Sequence, residues 1–298
     1  MANPLARLAQ NLPVLAERGL AVSHAIHGAV LKGGTPARKV ADVLHGTWLG
    51  HPLHVVLTDF TVGAWSAAAV YDAVALATGS RFAQRAGGSL VALGTASAVP
   101  TALTGLTDYS TVPQPAAGQA TLHATANSVG LSLYLLSLAQ RGRGNHRAGA
   151  MLGFGALAAA GVGAYLGGHL VYRHRVGTDH GQDFHGWDDW KPALASADLP
   201  EGRPMRVEVD GEAVLLYREN GTTYAIDAVC AHAGGPLDEG EIEGCEAGGC
   251  TVRCPWHDSV FSLRDGRIVH GPAVHPQQAF EVRERDGWIE LRPIREEA

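Results

Sequence analysis

Cys230 and His232 are separated by one residue and Cys254 and His257 by two, so a Cys-x-His pair is followed by a Cys-x-x-His pair. Two cysteines and two histidines can satisfy one tetrahedral zinc ion. Zinc motifs, however, usually pair Cys with Cys and His with His along the chain, whereas each short motif here supplies one of each. That mixture suits a two-iron, two-sulfide cluster in which two thiolates take one iron and two neutral imidazoles take the other. Such a centre carries less negative charge than an all-cysteine cluster, has a higher potential and moves single electrons. The chemistry asks for no acid, base or nucleophile from the protein, so no residue is assigned a catalytic role.

The residues around these pairs carry a resemblance. Gly235, Pro236 and Leu237 follow the first pair, Ser259 to Leu263 (Ser-Val-Phe-Ser-Leu) follow the second, and residues 265–273 supply a hairpin and a proline-containing loop. Over residues 193–293 the chain resembles the Rieske ferredoxin-like domain, which implies a small antiparallel β fold, one [2Fe-2S] cluster held by Cys230, His232, Cys254 and His257, and a proline loop covering it. Short alternating runs at 206–209, 213–217, 224–226, 280–283 and 288–291 read as strands, with Asp210-Gly211, Asn220-Gly221 and Asp286-Gly287 as hairpin turns.

The resemblance also bears on potential. Hydrogen bonds to cluster sulfurs stabilise the reduced state, and the high-potential pattern has a Ser two residues and a Tyr four residues after the second His. This chain keeps Ser259 but has Phe261 in the Tyr place, which implies a middling potential. The cytochrome bc type also ties its two cluster loops with a disulfide, at places that here hold Gly235 and Trp256. Cys245 and Cys250 lie elsewhere, in an extension between the motifs, where a disulfide, a further metal and ordinary thiols are the alternatives. A surface loop in a reducing compartment favours thiols.

Elements must position this site, and 298 residues leave room for more than one domain. No Asp, Glu, Lys or Arg occurs over 86–107, 109–140 or 148–172, and 54–77 is apolar apart from Asp59 and Asp72. Runs of this length cross a bilayer as helices, and a soluble bundle would need charged outer faces. The expectation is a multidomain chain: amphipathic N-terminal helices over 1–47, lying along the membrane surface; an all-α four-helix transmembrane bundle over 48–172; a linker over 173–192; and an all-β Rieske-type iron-sulfur domain over 193–298. No secretory signal peptide is expected, since Arg7, Glu17 and Arg18 interrupt the first apolar stretch. A net charge of -6 and a pI near 6.2 give no support for nucleic-acid binding.

His180, His185, Asp179 and Asp183 in the linker are metal-ligand types, but the expectation is a solvated connector that docks its Trp residues on the β domain. Residues 45–176 resemble a family of four-helix bacterial membrane proteins of unassigned function, through the Gly-His-Pro-Leu-His stretch 50–54 and the segment from Gly167 to His174. That family's first helix has a further His where this chain has Asp59. Helices alternating up and down would bring His51, His54, His123 and His169 to one membrane face, the one from which the β domain leaves. A b-type haem on two of them, a metal or quinone pocket, and histidines merely hydrogen-bonded at headgroup level are the alternatives. Gly153, Gly155, Gly161 and Gly163 would let a flat group or a neighbouring helix come close.

For orientation, Arg81, Arg85, Arg141, Arg143 and Arg147 lie toward one face and Arg38, Lys39, Arg173 and Arg175 toward the other, which does not decide. A folded iron-sulfur domain leaves the cytoplasm by a twin-arginine route, and the chain has no Arg-Arg pair. The expectation is therefore an inner-membrane, multi-pass protein in contact with membrane lipid, with both termini and the Rieske domain in the cytoplasm. Its function would be to carry electrons between a donor and a redox partner protein or quinone. Serving an oxygenase system or sensing redox state are the alternatives. Only 41 residues follow His257, too few for a catalytic domain of its own.

Overall fold

A computed structural model describes residues 13–181, 187, 189–246 and 249–294. Among the described residues six α-helices precede ten strands: α1 (Pro13–Lys32), α2 (Gly34–His45), α3 (Leu53–Thr78), α4 (Arg81–Tyr109), α5 (Ala117–Gly142) and α6 (His146–His174), then β1 (Lys191–Ala195) to β10 (Trp288–Pro293). They divide into two compact units, one of residues up to 32 with 52–176, the other of 33–51 with 177–298. The N-terminal helices therefore belong to different units. Of the first twelve residues of the expected amphipathic segment nothing is described.

In the first unit α3 to α6 form an up-and-down bundle. Gly79, at φ 68°, ends α3, and Ser80 caps α4 by accepting the N–H of Ala83, so two residues make the whole turn. Asn145 caps α6 in the same way. Glycines set the close approaches: a Cβ on Gly94 would lie 2.5 Å from the Trp65 ring, and one on Gly163 2.4 Å from Asn127. Trp65 stacks on Tyr134 at 4.2 Å in the bundle core. Of the four expected glycines, Gly153 and Gly163 thus admit neighbouring side chains, while Gly161 has open space around it. Helix α1 packs here too, with Gly19 beside Thr121 and Tyr109, and Ser23 donating to the carbonyl of Ser110 at 2.9 Å.

Among the described residues three helices, α3, α4 and α6, are long and apolar enough to cross a membrane. The expected four is one too many by that measure. Helix α5 carries Thr121, His123, Thr125, Asn127, Ser128 and Ser132, which lower its hydropathy. Its hydroxyls return to carbonyls one turn back, as Thr125 does to Thr121 and Ser132 to Ser128, each at 2.8 Å. The two carboxylates of α3 differ in their surroundings. Asp59 lies on an exposed face of α3, whereas Asp72 is buried and gripped by Arg141.

Among the described residues the second unit holds three antiparallel sheets, ordered β1-β10-β9, β2-β3-β4 and β5-β6-β7-β8. Here β2 is Met205–Val209, β3 Glu212–Glu219, β4 Thr222–Asp227, β5 Glu241–Glu246, β6 Gly249–Arg253, β7 Val260–Ser262, β8 Ile268–His270 and β9 Phe280–Arg285. The three expected hairpin turns form as read, with positive φ at both residues of Asp210-Gly211, Asn220-Gly221 and Asp286-Gly287. Strand β3 is buried on both faces: Ala213, Leu215 and Tyr217 point into the core beneath the cysteine loops, and Val214 and Leu216 into the core around Ile289 and Leu291. The Tyr217 hydroxyl, desolvated there and bonded to Glu219 at 2.7 Å, is pushed up to about 12.

The linker docks its tryptophans on this unit. Trp187 donates to the carbonyl of Leu291 at 3.2 Å and stacks on Phe280, and Trp190 lies under the guanidinium of Arg283 at 4.2 Å. His185 and Asp183, the more distal candidate ligands of the linker, lie outside the described residues. Asp179 instead turns back to cap the N–H of Gly181 at 2.8 Å, and the His180 N–H bonds to the carbonyl of Ala231 at 2.8 Å. Cys245 and Cys250, expected as thiols, are joined in a disulfide. They sit in the β5–β6 hairpin, whose paired strands bring their Cα atoms to 4.1 Å.

Candidate metal centre

Two loops carry the four candidate ligands. The first leaves β4, where the Asp227 carboxylate accepts the N–H of Val229 at 2.7 Å, and curls so that Cys230 N–H meets the carbonyl of Gly235 at 2.8 Å. The second leaves β6 and closes with Cys254 N–H on the carbonyl of Ser259 at 2.8 Å, with Asp258 at φ 61°. Gly235 is required where the loops meet. A Cβ there would come within 2.8 Å of Cys254 Sγ and 3.1 Å of the Trp256 ring.

Between the loops the two thiols are buried and hydrogen-bonded to each other, and the rings of His232 and His257 stand 4.9 Å apart at 83°. The bond from Cys230 holds the Cys254 thiol down to about 7 against its burial, and the N–H groups of Trp256 and His257 add to it. That same bond, with burial, pushes Cys230 up. Backbone N–H groups of His232 and Ala233 are directed at the Cys230 sulfur as well. Backbone N–H groups are thus directed at both sulfurs, which is the support that a buried thiolate ligand needs.

Cysteines sit inside and histidines, partly exposed, sit toward solvent. Among the described residues no three His, Cys, Asp or Glu side chains converge as around one ion. A cluster with two protein donors on each iron asks for two sulfurs together and two imidazoles together. The donor set present fits that requirement. Ser259 is buried behind the second loop, where its Oγ accepts the N–H of Ala273 at 3.1 Å, and Phe261 is buried in the core below.

The four membrane-domain candidates separate. His51 falls in the second unit, outside the bundle. His54 and His123 do meet, with rings 6.3 Å apart and nearly perpendicular. Their Nδ1 atoms reach carbonyls of neighbouring helices, His54 that of Thr101 at 2.9 Å and His123 that of Gly163 at 2.8 Å. Gly105 and Gly167 make room for the two rings, and the Asn127 amide lies 3.1 Å from Nε2 of His123. His169 lies instead between Tyr165 and His174.

Sequence reasoning missed two constellations. One is Asp72 with Arg141; the other is Asp42 of α2, whose carboxylate takes His270 and Gly271 at the start of the proline loop. Nothing in the local sequence marks either, because the partners are 69 and 228 residues apart.

A small antiparallel β domain presenting two cysteines and two histidines on two adjoining loops defines an iron-sulfur electron carrier. The comparisons agree: residues 189–281 match the Rieske [2Fe-2S] domain, and residues 50–180 match the family described as Predicted membrane protein (DUF2231). Sulredoxin of Sulfurisphaera tokodaii is 33% identical over 113 residues, 34% of this chain and 96% of sulredoxin. The ferredoxin component of the naphthalene 1,2-dioxygenase system of Pseudomonas aeruginosa is 30% identical over 96 residues, 32% of this chain and 88% of that protein. Among solved structures, the ferredoxin of carbazole 1,9a-dioxygenase from Nocardioides aromaticivorans IC177 is 28% identical, covering 36% of this chain and 100% of that one, with a TM-score of 0.33. The chain belongs to the Rieske [2Fe-2S] family through its C-terminal domain, a ferredoxin-type electron carrier, joined to a predicted membrane domain.

Proposed function

We propose that this chain is a membrane-anchored Rieske electron carrier in which Cys230 and Cys254 hold one iron, His232 and His257 hold the other, and Ser259 tunes the potential. The observation that carries the reading is the pairing of two buried, mutually bonded thiols with two imidazoles 4.9 Å apart on adjoining loops. When bound, the cluster takes up and releases one electron without bonds being made at the protein. The cysteine loops stabilise sulfur charge through backbone N–H groups, and the partly exposed histidines offer the outward route to a redox partner protein. Dithionite-reduced full-length protein in detergent should give a Rieske EPR signal, lost in His257→Ala. One zinc and no iron in protein made with ample iron would end the reading.

The names of the relatives favour a specific partner class: the donor side of an oxygenase system, with the oxygenase supplied by another chain. Within the bundle, His54, His123 and Asn127 form a polar cluster, and the quinone alternative rests on these side chains. A b-type haem on His54 with His123 would first have to displace Asn127 from His123 Nε2, and one on His54 with His169 would have to draw His169 from between Tyr165 and His174. An optical spectrum separates the two, since haem brings a Soret band.

The multi-pass, inner-membrane placement rests on the long uncharged runs, and the cytoplasmic side of the Rieske domain on the lack of an Arg-Arg pair. One observation favours the opposite orientation: the Cys245–Cys250 bond suits an oxidising compartment. Phosphatase and fluorescent-protein fusions to the C-terminus decide between them: fluorescence without phosphatase activity supports the cytoplasmic placement, and the reverse overturns it.

A further inference from the structure

Asp42 stands on α2, 228 residues before His270, yet its carboxylate grips the loop that follows β8. One oxygen accepts the N–H of Gly271 at 2.9 Å and the other lies 2.8 Å from Nδ1 of His270. Gly271 lets α2 lie flat on the loop, since a Cβ there would come 3.0 Å from the Thr47 methyl and 3.5 Å from Asp42 itself. His45 is buried beside it, and Thr47 folds its hydroxyl back to the carbonyl of Asp42 at 3.1 Å, locking the end of the helix. Two residues beyond Gly271, the N–H of Ala273 reaches Ser259 Oγ at 3.1 Å, and the Ser259 carbonyl closes the second ligand loop on Cys254.

This is a continuous chain of contacts from an N-terminal helix to the hydroxyl behind the cluster. We propose that Asp42 is a positioning residue for the metal centre: it fixes residues 270–273 so that the Ala273 N–H occupies the Ser259 oxygen and leaves the hydroxyl proton to be donated toward cluster sulfur. The inference rests on the Rieske reading above. It makes α2 a working part of the redox site, although the helix lies outside the matched Rieske residues 189–281. Removal of the carboxylate frees the loop, misaligns Ser259 and destabilises the reduced state. Electrostatics alone predicts the contrary sign, because deleting a negative charge near the cluster favours the reduced form.

The test is an EPR-monitored redox titration of the full chain in detergent, for wild type, Asp42→Ala, Asp42→Asn, Ser259→Ala and the Asp42→Ala/Ser259→Ala double variant. Asp42→Ala should lower the midpoint, in the same direction as Ser259→Ala and by less. Asp42→Asn, which keeps an oxygen for Gly271, should recover most of the shift, and the double variant should show no lowering beyond Ser259→Ala alone. An unchanged or raised midpoint in Asp42→Ala, or an equal shift with and without Ser259, overturns the proposal. Should Asp42→Ala not fold, His270→Ala must lower the midpoint, and no shift there overturns it equally. A wild type without any Rieske signal sinks the functional reading along with this one, whereas a normal signal indifferent to Asp42 sinks this one alone.

Discussion

Replacing Asp72 by Asn should destabilise the helical unit more than any other single polar substitution in the bundle. Arg141 donates to both carboxylate oxygens of Asp72, at 2.8 and 2.5 Å, and its Nε donates to Ser137 Oγ at 3.1 Å. The two side chains are only 7% and 3% exposed, so neither charge is hydrated when the other is removed. Breaking a buried pair from one side costs about 3–5 kcal/mol. A guanidinium cannot shed its proton, so Asp72→Asn should incur the full penalty, and Arg141→Met breaks the same pair from the other side. At about 2–4 °C per kcal/mol for units of this size, Asp72→Asn should lower the apparent Tm by on the order of 10 °C. The double variant should recover most of that loss, because two neutral groups leave no buried charge. Thermal unfolding of detergent-solubilised protein by circular dichroism reads this out. Losses that simply add in the double variant, or an Asp72→Asn protein within about 2 °C of wild type, would refute the argument that an uncompensated guanidinium sets the cost.

Ser259→Ala should lower the cluster midpoint and Phe261→Tyr should raise it, each by tens of millivolts, since about 59 mV corresponds to a tenfold change for one electron; unchanged midpoints in both would show that neither position reaches the cluster sulfurs. Gly235→Ala should abolish cluster assembly, read as loss of bound iron, because its Cβ would press on Cys254 Sγ and the Trp256 ring. Substituting His54 or His123 should remove quinone-dependent oxidation of the reduced protein while leaving the Rieske EPR spectrum intact, and unaltered quinone reactivity would return both residues to a purely structural role. Cys245→Ser with Cys250→Ser should leave that spectrum and its midpoint unchanged, since the proposed ligands are Cys230 and Cys254; a lost signal would show that the hairpin disulfide holds the second ligand loop in place.

The metal centre was legible in the sequence because its information is local. Cys-x-His and Cys-x-x-His each lie on one tight loop, and three two-residue turns with a glycine set the strand register on either side, so spacing alone pointed to the candidate donors and their neighbours. Helix positions were legible for the same reason, as uncharged runs long enough to span a bilayer. Which ends meet, and what each polar residue inside them does, depends on partners that local pattern does not encode. Asp59 and Asp72 look alike on one apolar run, yet only Asp72 lies where α4, α5 and α6 deliver a glycine, an arginine and another glycine against it. Cys245 and Cys250 read as loop thiols until strand pairing set their Cα atoms 4.1 Å apart. Asp42, on a helix read as a membrane-surface segment, acquires meaning only when the chain returns more than two hundred residues later with His270 and Gly271. Chemistry held within a loop is written in spacing, whereas chemistry assembled between distant elements is decided by packing, where a missing Cβ or a single buried charge selects the partner.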